Sequence, residues 1–182
     1  MVNNIQRSAS LFLVKNIFSF LLSLFSVVFM MSYPLQPSQI SLISMFTIGI
    51  PGFFLAFQPN KDVIKGHFLT NVVLKALPAG LTDVLAVAAM AVFGQTFGLG
   101  ETDISTAGTM LLAIVGFMIL FKICEPFNWL RGCVWVGSVI GLLGCSIFLP
   151  KLFAITGMST KCIMLFVVFS IATEPLFRYL TK

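Results

Sequence analysis

Polar side chains recur at helical spacing in two otherwise apolar stretches near the start of the sequence. The first stripe is Asn16, Ser19, Ser23 and Ser26, and the second is Ser41, Ser44 and Thr47. Residues three or four positions apart share one face of a helix. Hydroxyl, amide and carbonyl oxygens are the ligands that hard cations prefer. Two consecutive helices are therefore predicted to line a cation path, with close helix packing through hydroxyl groups as the alternative.

Pro51 interrupts the second of these stretches, within the sequence Gly49-Ile50-Pro51-Gly52. A helical residue at position 51 would donate its N–H to the carbonyl of Thr47, and proline has no N–H to donate. The carbonyl of Thr47 is therefore expected to be free, close to the hydroxyls of Ser44 and Thr47. Broken membrane helices of this kind coordinate ions in transporters, although a simple proline kink is the alternative.

Two ionisable residues fall inside apolar stretches, where charge is costly. Lys15 lies about a third of the way into the first stretch, beside Asn16. It either faces the interior of a helix bundle or, if the membrane helix begins at Ile17, extends to the membrane surface. Asp83 lies a little beyond Pro78 in a later stretch and is interpreted as a helix-packing or interface carboxylate in preference to a ligand.

The composition indicates the kind of fold in which these residues lie. Of the 182 residues, 58% are apolar and 9% are charged, and the mean hydropathy is +1.04. Soluble domains carry about 25% charged residues, so a soluble domain is excluded. We predict an all-α membrane protein, a bundle of six transmembrane helices with no soluble domain, because one span needs about 20 residues. The predicted spans are residues 8–32, 38–57, 72–93, 106–124, 133–149 and 160–179.

The distribution of lysine and arginine predicts the orientation of the bundle. One side collects eight of them: Arg7, Lys61, Lys65, Lys75, Lys122, Arg131, Arg178 and Lys182. The other side has Lys151 and Lys161, together with the acidic Glu101 and Asp103. Basic residues accumulate on the cytoplasmic side, so both termini are predicted to be cytoplasmic. No basic run is interleaved with aromatic residues, so nucleic acid is not an expected partner, whereas the lipid bilayer and a transported cation are.

The order of these features resembles the C-terminal membrane region of bacterial P-type cation-transporting ATPases, in the branch near the calcium and other cation pumps. The resemblance covers essentially the whole chain. It is carried by Val2-Asn3-Asn4-Ile5-Gln6-Arg7, the turn Tyr33-Pro34-Leu35-Gln36-Pro37, and the broken helix through Gly49-Ile50-Pro51 to Phe57-Gln58-Pro59-Asn60. It implies that the chain is a multi-pass protein of the bacterial plasma membrane and that its six spans correspond to helices five to ten of a ten-helix pump.

The resemblance also implies a site. In this family the cation is held by the fourth, fifth, sixth and sometimes eighth helices. By position, the pathway would be lined by Lys15, Asn16, Ser44, Thr47 and Ile48, beside Pro51, with Asn16 and Thr47 as ligands of the cation. Calcium is the first expectation, with magnesium, manganese, potassium and protons left open. Lys15, Asn16 and Ile48 stand where calcium pumps of the animal type are acidic. Lys15 is hypothesised to act as a built-in positive charge that replaces one ion.

The 182 residues contain no DKTGT-type phosphorylation sequence, no TGE-type loop and no nucleotide-binding segment. ATP and Mg²⁺ are cofactors of the full-length family, and none is expected for this chain alone. We expect a truncated gene product, a misplaced start codon or half of a split pump, completed by the missing N-terminal pump domains or by a separate chain that supplies them. The alternatives are a standalone six-helix permease, channel or assembly subunit, and a nonfunctional remnant.

Overall fold

The computed structural model describes residues 2–56, 68–125 and 127–181, with the side chains of residues 9–56, 73–74, 76–125 and 127–181. The helices are α1 (Val2–Val28), α2 (Pro37–Ser44), α3 (Ile50–Ala56), α4 (Phe68–Thr96), α5 (Glu101–Cys124), α6 (Trp129–Phe148) and α7 (Thr160–Leu180). A π-helical segment, Met45–Gly49, joins α2 to α3. The predicted helix end at Phe57-Gln58-Pro59-Asn60 and the lysines Lys61 and Lys65 lie outside the described residues.

Six stretches of these helices are long and apolar enough to cross a membrane, which confirms the predicted all-α membrane architecture. They are Ala9–Val28, Pro37–Ala56, Ala76–Thr96, Glu101–Cys124, Trp129–Phe148 and Thr160–Leu180. The connection expected between residues 93 and 106 is shorter in the structure, because α4 continues to Thr96 and α5 begins at Glu101. Glu101 and Asp103 occupy the first turn of α5, where the helix dipole favours negative charge.

Helices α4 and α5 form the centre of the bundle. In each, 56% of the residues in an apolar 18-residue segment are buried, compared with 11% in the corresponding segment of α7. Helix α4 packs against α1, α5 and α7. Its approach to α1 depends on Gly80, because a Cβ atom at this position would lie 2.8 Å from Cγ2 of Ile17. Small residues at such crossings allow membrane helices to pack closely without a hydrophobic driving force.

A buried polar network connects three segments at one end of the bundle, which we call the Gln39 end. Gln39 has no exposed surface. Its amide nitrogen donates to the carbonyl of Ala154 (2.9 Å), and its Oε1 accepts from the Gln36 N–H (2.9 Å) and from the Ser105 hydroxyl (2.7 Å). The start of α2, the start of α5 and the connection between α6 and α7 therefore meet at this end.

Helices α5 and α7 run in the same direction. Near their starts, the Ser159 hydroxyl donates to Oδ2 of Asp103 (2.6 Å). Near their ends, Nζ of Lys122 donates to Oγ1 of Thr181 (3.2 Å). This parallel arrangement is what the fourth and sixth of six alternating membrane crossings require.

Candidate functional site

A cavity of about 40 Å³ lies between α1, the broken second span, α4 and α5. Its lining is mostly apolar and includes four polar residues: Lys15, Ser44, Thr47 and Asp83. Since one water needs about 10–15 Å³ of such space, the cavity has room for about three or four waters or for a cation with part of its hydration shell. We call it the central cavity.

The central cavity lies deep in the membrane. Lys15 is the seventh of the 20 residues of its span, Thr47 the eleventh of 20, and Asp83 the eighth of 21. Thr47 and Asp83 therefore lie in the middle third of a membrane crossing, and Lys15 lies at the edge of that third. Polar groups at this depth are expensive unless they face protein or water, so their convergence on one cavity calls for a functional explanation.

Two hydroxyl groups of the second span line the cavity with their oxygens available. Thr47 is 4% exposed, and its hydroxyl donates to the carbonyl of Ile43 (2.8 Å). The Ser44 hydroxyl donates to the carbonyl of Ile40 (2.7 Å). A hydroxyl that donates its proton keeps two lone pairs, so both oxygens can still accept a hydrogen bond or coordinate a cation.

The second span is irregular at this point. The segment Met45–Gly49 is π-helical, and the N–H of Ile50 donates to the carbonyl of Met45, five residues earlier. The next residue is Pro51, which lacks the N–H that an uninterrupted α-helix would use. Pro51 is buried but is not a lining residue of the cavity. Pro51 therefore affects the cavity through the backbone around Thr47, where the regular α-helical hydrogen bonds are interrupted. π-Helical insertions of this kind frequently occur at functional sites.

Gly116 of α5 leaves the space that the Thr47 side chain occupies at the cavity. A Cβ atom on Gly116 would lie 2.9 Å from Cγ2 of Thr47, so any larger residue would force the threonine to shift. Gly116 also lines the central cavity. Nothing in the spacing of the sequence marks this glycine, because only the packing of α5 against the second span shows what it contacts.

Asp83 of α4 is the polar group that sequence reasoning set aside. It is 2% exposed, and its Oδ1 has no hydrogen-bond partner among the described residues. Its position on the buried face is visible in the sequence. Asp83 follows Ala76, Ala79 and Gly80 at helical spacing, and these small residues form the packed face of α4. A carboxylate on a small-residue packing face has to lie inside the bundle.

Lys15 lines the same cavity as Asp83. It follows Leu11 by four residues, which places it only about 40° from that buried side chain around α1. Leu11 is 3% exposed and belongs to the packed face of the helix. Among the ion pairs within 4.0 Å in the described residues, none joins Lys15 to Asp83. The cavity is therefore lined by the amino group of Lys15 and the carboxyl group of Asp83, which do not form a direct ion pair.

The polar stripe on α1 is only partly internal. Ser26 is buried and Ser19 half-buried, whereas Asn16 and Ser23 are exposed. Asn16 follows the buried Val14 by two residues, a rotation of about 200° around the helix, so it points away from the packed face. The structure thus brings Lys15, Ser44 and Thr47 to one cavity and leaves Asn16 outside it.

A second cavity, of about 150 Å³, lies at the Gln39 end. It is lined by Ser32, Tyr33, Pro34, Gln36, Ala91, Gln95, Glu101, Thr102, Ile104 and Ser105. Burial raises the pKa of the Tyr33 hydroxyl, and a hydrogen bond with Ser19 acts in the opposite direction. This larger, more polar space lies near the membrane surface rather than in the middle of the spans.

The described residues contain no group of three or more His, Cys, Asp or Glu side chains that could hold a metal ion. A cation in the central cavity would therefore bind through hydroxyl oxygens, backbone carbonyls, water and at most one carboxylate. Hydroxyl, carbonyl and water oxygens suit hard cations such as calcium or magnesium, whereas thiolates suit softer metals.

Comparison with known proteins gives a consistent set of relatives, although no family model matches the chain. The probable cation-transporting ATPase exp7 of Streptococcus pneumoniae is 33% identical over 195 aligned positions, covering all of this chain and 25% of that protein. The calcium-transporting ATPase CtpE of Mycolicibacterium smegmatis is 31% identical over 144 positions, covering 71% of this chain and 18% of that protein. The corresponding protein of Mycobacterium bovis is also 31% identical. The chain thus spans a quarter or less of the length of these relatives.

Proposed function

The chain belongs by homology to the cation-transporting P-type ATPases, of which it matches one segment, and on this premise we propose that it forms a membrane part of such a pump, through which a cation crosses the bilayer. In this proposal ATP hydrolysis supplies the energy through phosphorylation and nucleotide-binding parts that are absent from these 182 residues. The cation site is the central cavity.

One observation carries the proposal: hydroxyl oxygens and ionisable groups converge on a small cavity in the middle of the membrane, beside a helix interrupted at Pro51. The hydroxyls of Ser44 and Thr47 are satisfied by helix carbonyls, but a bundle that served only as a scaffold would gain nothing from burying Lys15 and Asp83, because unpaired ionisable groups cost free energy in an apolar environment. We propose calcium as the cation, since the CtpE relatives are named for calcium transport.

The proposed setting is the plasma membrane of a bacterium, with both chain termini in the cytoplasm. This orientation rests on the eight lysines and arginines predicted for one side of the membrane and the two predicted for the other. It places the Gln39 end, with the second cavity, on the outer side.

The exposed side of α1 supports the proposed partner. Asn16 lies in the middle of a membrane span and is exposed, and an amide facing acyl chains is costly. We propose that further helices of the pump cover this side, either from the same polypeptide or from a separate chain. Asn16 would then belong to the cation pathway through a contact that these helices complete.

The proposal predicts that Thr47→Val weakens calcium binding by about tenfold, because the change removes a hydroxyl ligand while preserving side-chain shape, and one net polar interaction is worth about 1.4 kcal/mol. The measurement is radioactive calcium binding to the purified chain in lipid nanodiscs. Thr109→Val is the matched control: Thr109 is equally buried and donates to the carbonyl of Ser105 (2.7 Å), but it does not line the cavity. Equal affinity of the Thr47 variant and the original chain would contradict the proposal.

A second prediction concerns ATP. The purified chain is expected to show no ATP hydrolysis above background, with or without calcium, because phosphoryl transfer needs a positioned carboxylate, Mg²⁺ and phosphate-binding groups together, and the sequence offers no such motif. Phosphate release from proteoliposomes measures this. Calcium-dependent hydrolysis by the pure chain would show that the proposed division of labour is wrong.

A further inference from the structure

Asp83 is a buried carboxylate that the described residues leave without an ion pair and without a hydrogen bond at Oδ1. It is 2% exposed in the middle of α4, and its Oδ1 has no hydrogen-bond partner among the described residues. Buried polar groups in folded proteins are almost always hydrogen-bonded, and each exception calls for an explanation. A carboxylate that only stabilised the bundle would be paired, and Lys15, the basic residue on the same cavity, is not within 4.0 Å of it.

We propose that Asp83 is the acidic ligand of the transported cation and that the cation is a single divalent metal ion. The inference rests on the proposed function, since it requires the central cavity to be the cation site. It goes further by naming the group that supplies the negative charge and by assigning a ligand to α4, whereas the sequence analysis assigned ligands to the first two spans alone.

The chemistry of the cavity fits this assignment. Asp83, Ser44 and Thr47 all line it, so a carboxylate and two hydroxyl oxygens surround one small space. Both hydroxyls direct their protons at helix carbonyls, which leaves oxygen lone pairs for a cation. Calcium takes six to eight oxygen ligands, and the remaining ones would come from water and backbone carbonyls.

The same geometry limits the number of ions. Asp83 is the one carboxylate among the described residues that line the cavity, and Lys15 contributes an ammonium group. The space of about 40 Å³ corresponds to about three or four waters, which leaves no room for two hydrated cations. One divalent ion, bound against one carboxylate, is the occupant that volume and charge both allow.

The test is the Asp83→Asn variant of the full chain in lipid nanodiscs, with radioactive calcium as the probe. Binding is expected to weaken by about thirtyfold or more, the effect typical of removing one partner from a buried pair of charges. Asp103→Asn is the matched control, because Asp103 accepts hydrogen bonds from Ser159 at the Gln39 end and does not line the cavity. The control is expected to bind calcium within about twofold of the original chain, as a change outside the site should.

A second measurement separates a ligand from a structural residue. Without calcium, Asp83→Asn is expected to unfold at the same or a higher temperature than the original chain, because the variant loses an acidic group that is buried without a partner. Calcium is expected to raise the unfolding temperature of the original chain but not that of the variant. Asp83→Glu, which keeps the charge, should retain part of the binding.

The outcomes distinguish a failure of the Asp83 assignment from a failure of the proposed function. If Thr47→Val weakens calcium binding and Asp83→Asn does not, the assignment of Asp83 is wrong and the proposed function stands. If the original chain binds no calcium, or if neither variant changes its binding, both are wrong. A lower unfolding temperature of Asp83→Asn without calcium, or equal loss of binding in the Asn and Glu variants, overturns the assignment in favour of a packing role.

Discussion

Replacing Gln39 with leucine is expected to lower the free energy of unfolding by about 2–3 kcal/mol, because a buried polar group left without a partner costs about 1–3 kcal/mol and a partly exposed one costs less. Three groups lose their partner at once: the N–H of Gln36, the hydroxyl of Ser105 and the carbonyl of Ala154. The Ser105 hydroxyl is buried and Ala154 is half-buried, whereas Gln36 is exposed. Water can therefore replace the partner of the Gln36 N–H, and the loss comes mainly from the other two groups.

The measurement is reversible unfolding of the purified chain in mixed micelles, followed by circular dichroism. Gln95→Leu provides the control, since Gln95 is an exposed glutamine at the end of α4 and the same change there should alter stability little. Limited proteolysis adds a local readout: the connection between α6 and α7 should become more susceptible to cleavage in Gln39→Leu, because Ala154 is released. Two variants of equal stability would show that the buried network does not hold the Gln39 end together.

Replacing Lys15 with methionine is expected to tighten calcium binding by about a hundredfold. A divalent calcium ion and an ammonium group about 6 Å apart at an effective dielectric constant near 20 repel each other by about 5–6 kcal/mol before screening by water and Asp83. Removing the ammonium group therefore relieves more than the roughly 3 kcal/mol that a hundredfold change in affinity requires. Lys15 lines the central cavity, and methionine preserves the length and apolar part of the side chain. In an assembled pump, the same change is expected to alter the number of positive charges moved per ATP, because Lys15 would no longer act as a built-in charge.

Calcium-binding isotherms of the purified chain test the affinity. The control is Lys161→Met, since Lys161 is exposed at the start of α7, on a different part of the surface. The hypothesis of a built-in charge fails if affinity and stoichiometry are both unchanged by Lys15→Met. A loss of binding would instead show that Lys15 positions the ligands of the cation.

Much of the architecture could be predicted from sequence because apolar composition and helix length leave few alternatives. Six spanning helices follow from runs of about 20 apolar residues, and the irregular second span follows from the missing N–H of Pro51. The ends of α4 and α5 were less predictable. Glycine and acidic residues between positions 94 and 105 suggested a long connection, but the acidic residues stabilise the first turn of α5 instead.

The composition of the cavity was only partly predictable. Lys15 and Thr47 were identified, because polar residues in a membrane span are conspicuous. Gly116 and the location of Asp83 depend on how α4 and α5 pack against the first two spans, and one-dimensional spacing carries no information about the rotation of one helix relative to another. The exposure of Asn16 was unpredictable for the same reason. Asn16 shares a stripe with the buried Ser26 but lies on the exposed face of α1.

The π-helical segment Met45–Gly49 also gives the second span a simple way to move. A π-helical turn holds one surplus residue compared with an α-helical turn. Displacing that surplus by one position along the chain rotates the residue it passes by about 100° and advances it by about 1.5 Å, while the helices on either side keep their hydrogen bonds. Thr47, inside the segment, would turn away from Lys15 and Asp83, which sit on regular helices and would stay where they are. Release of a bound ion would then require only the rotation and translation of this five-residue segment, with no rearrangement of the surrounding bundle.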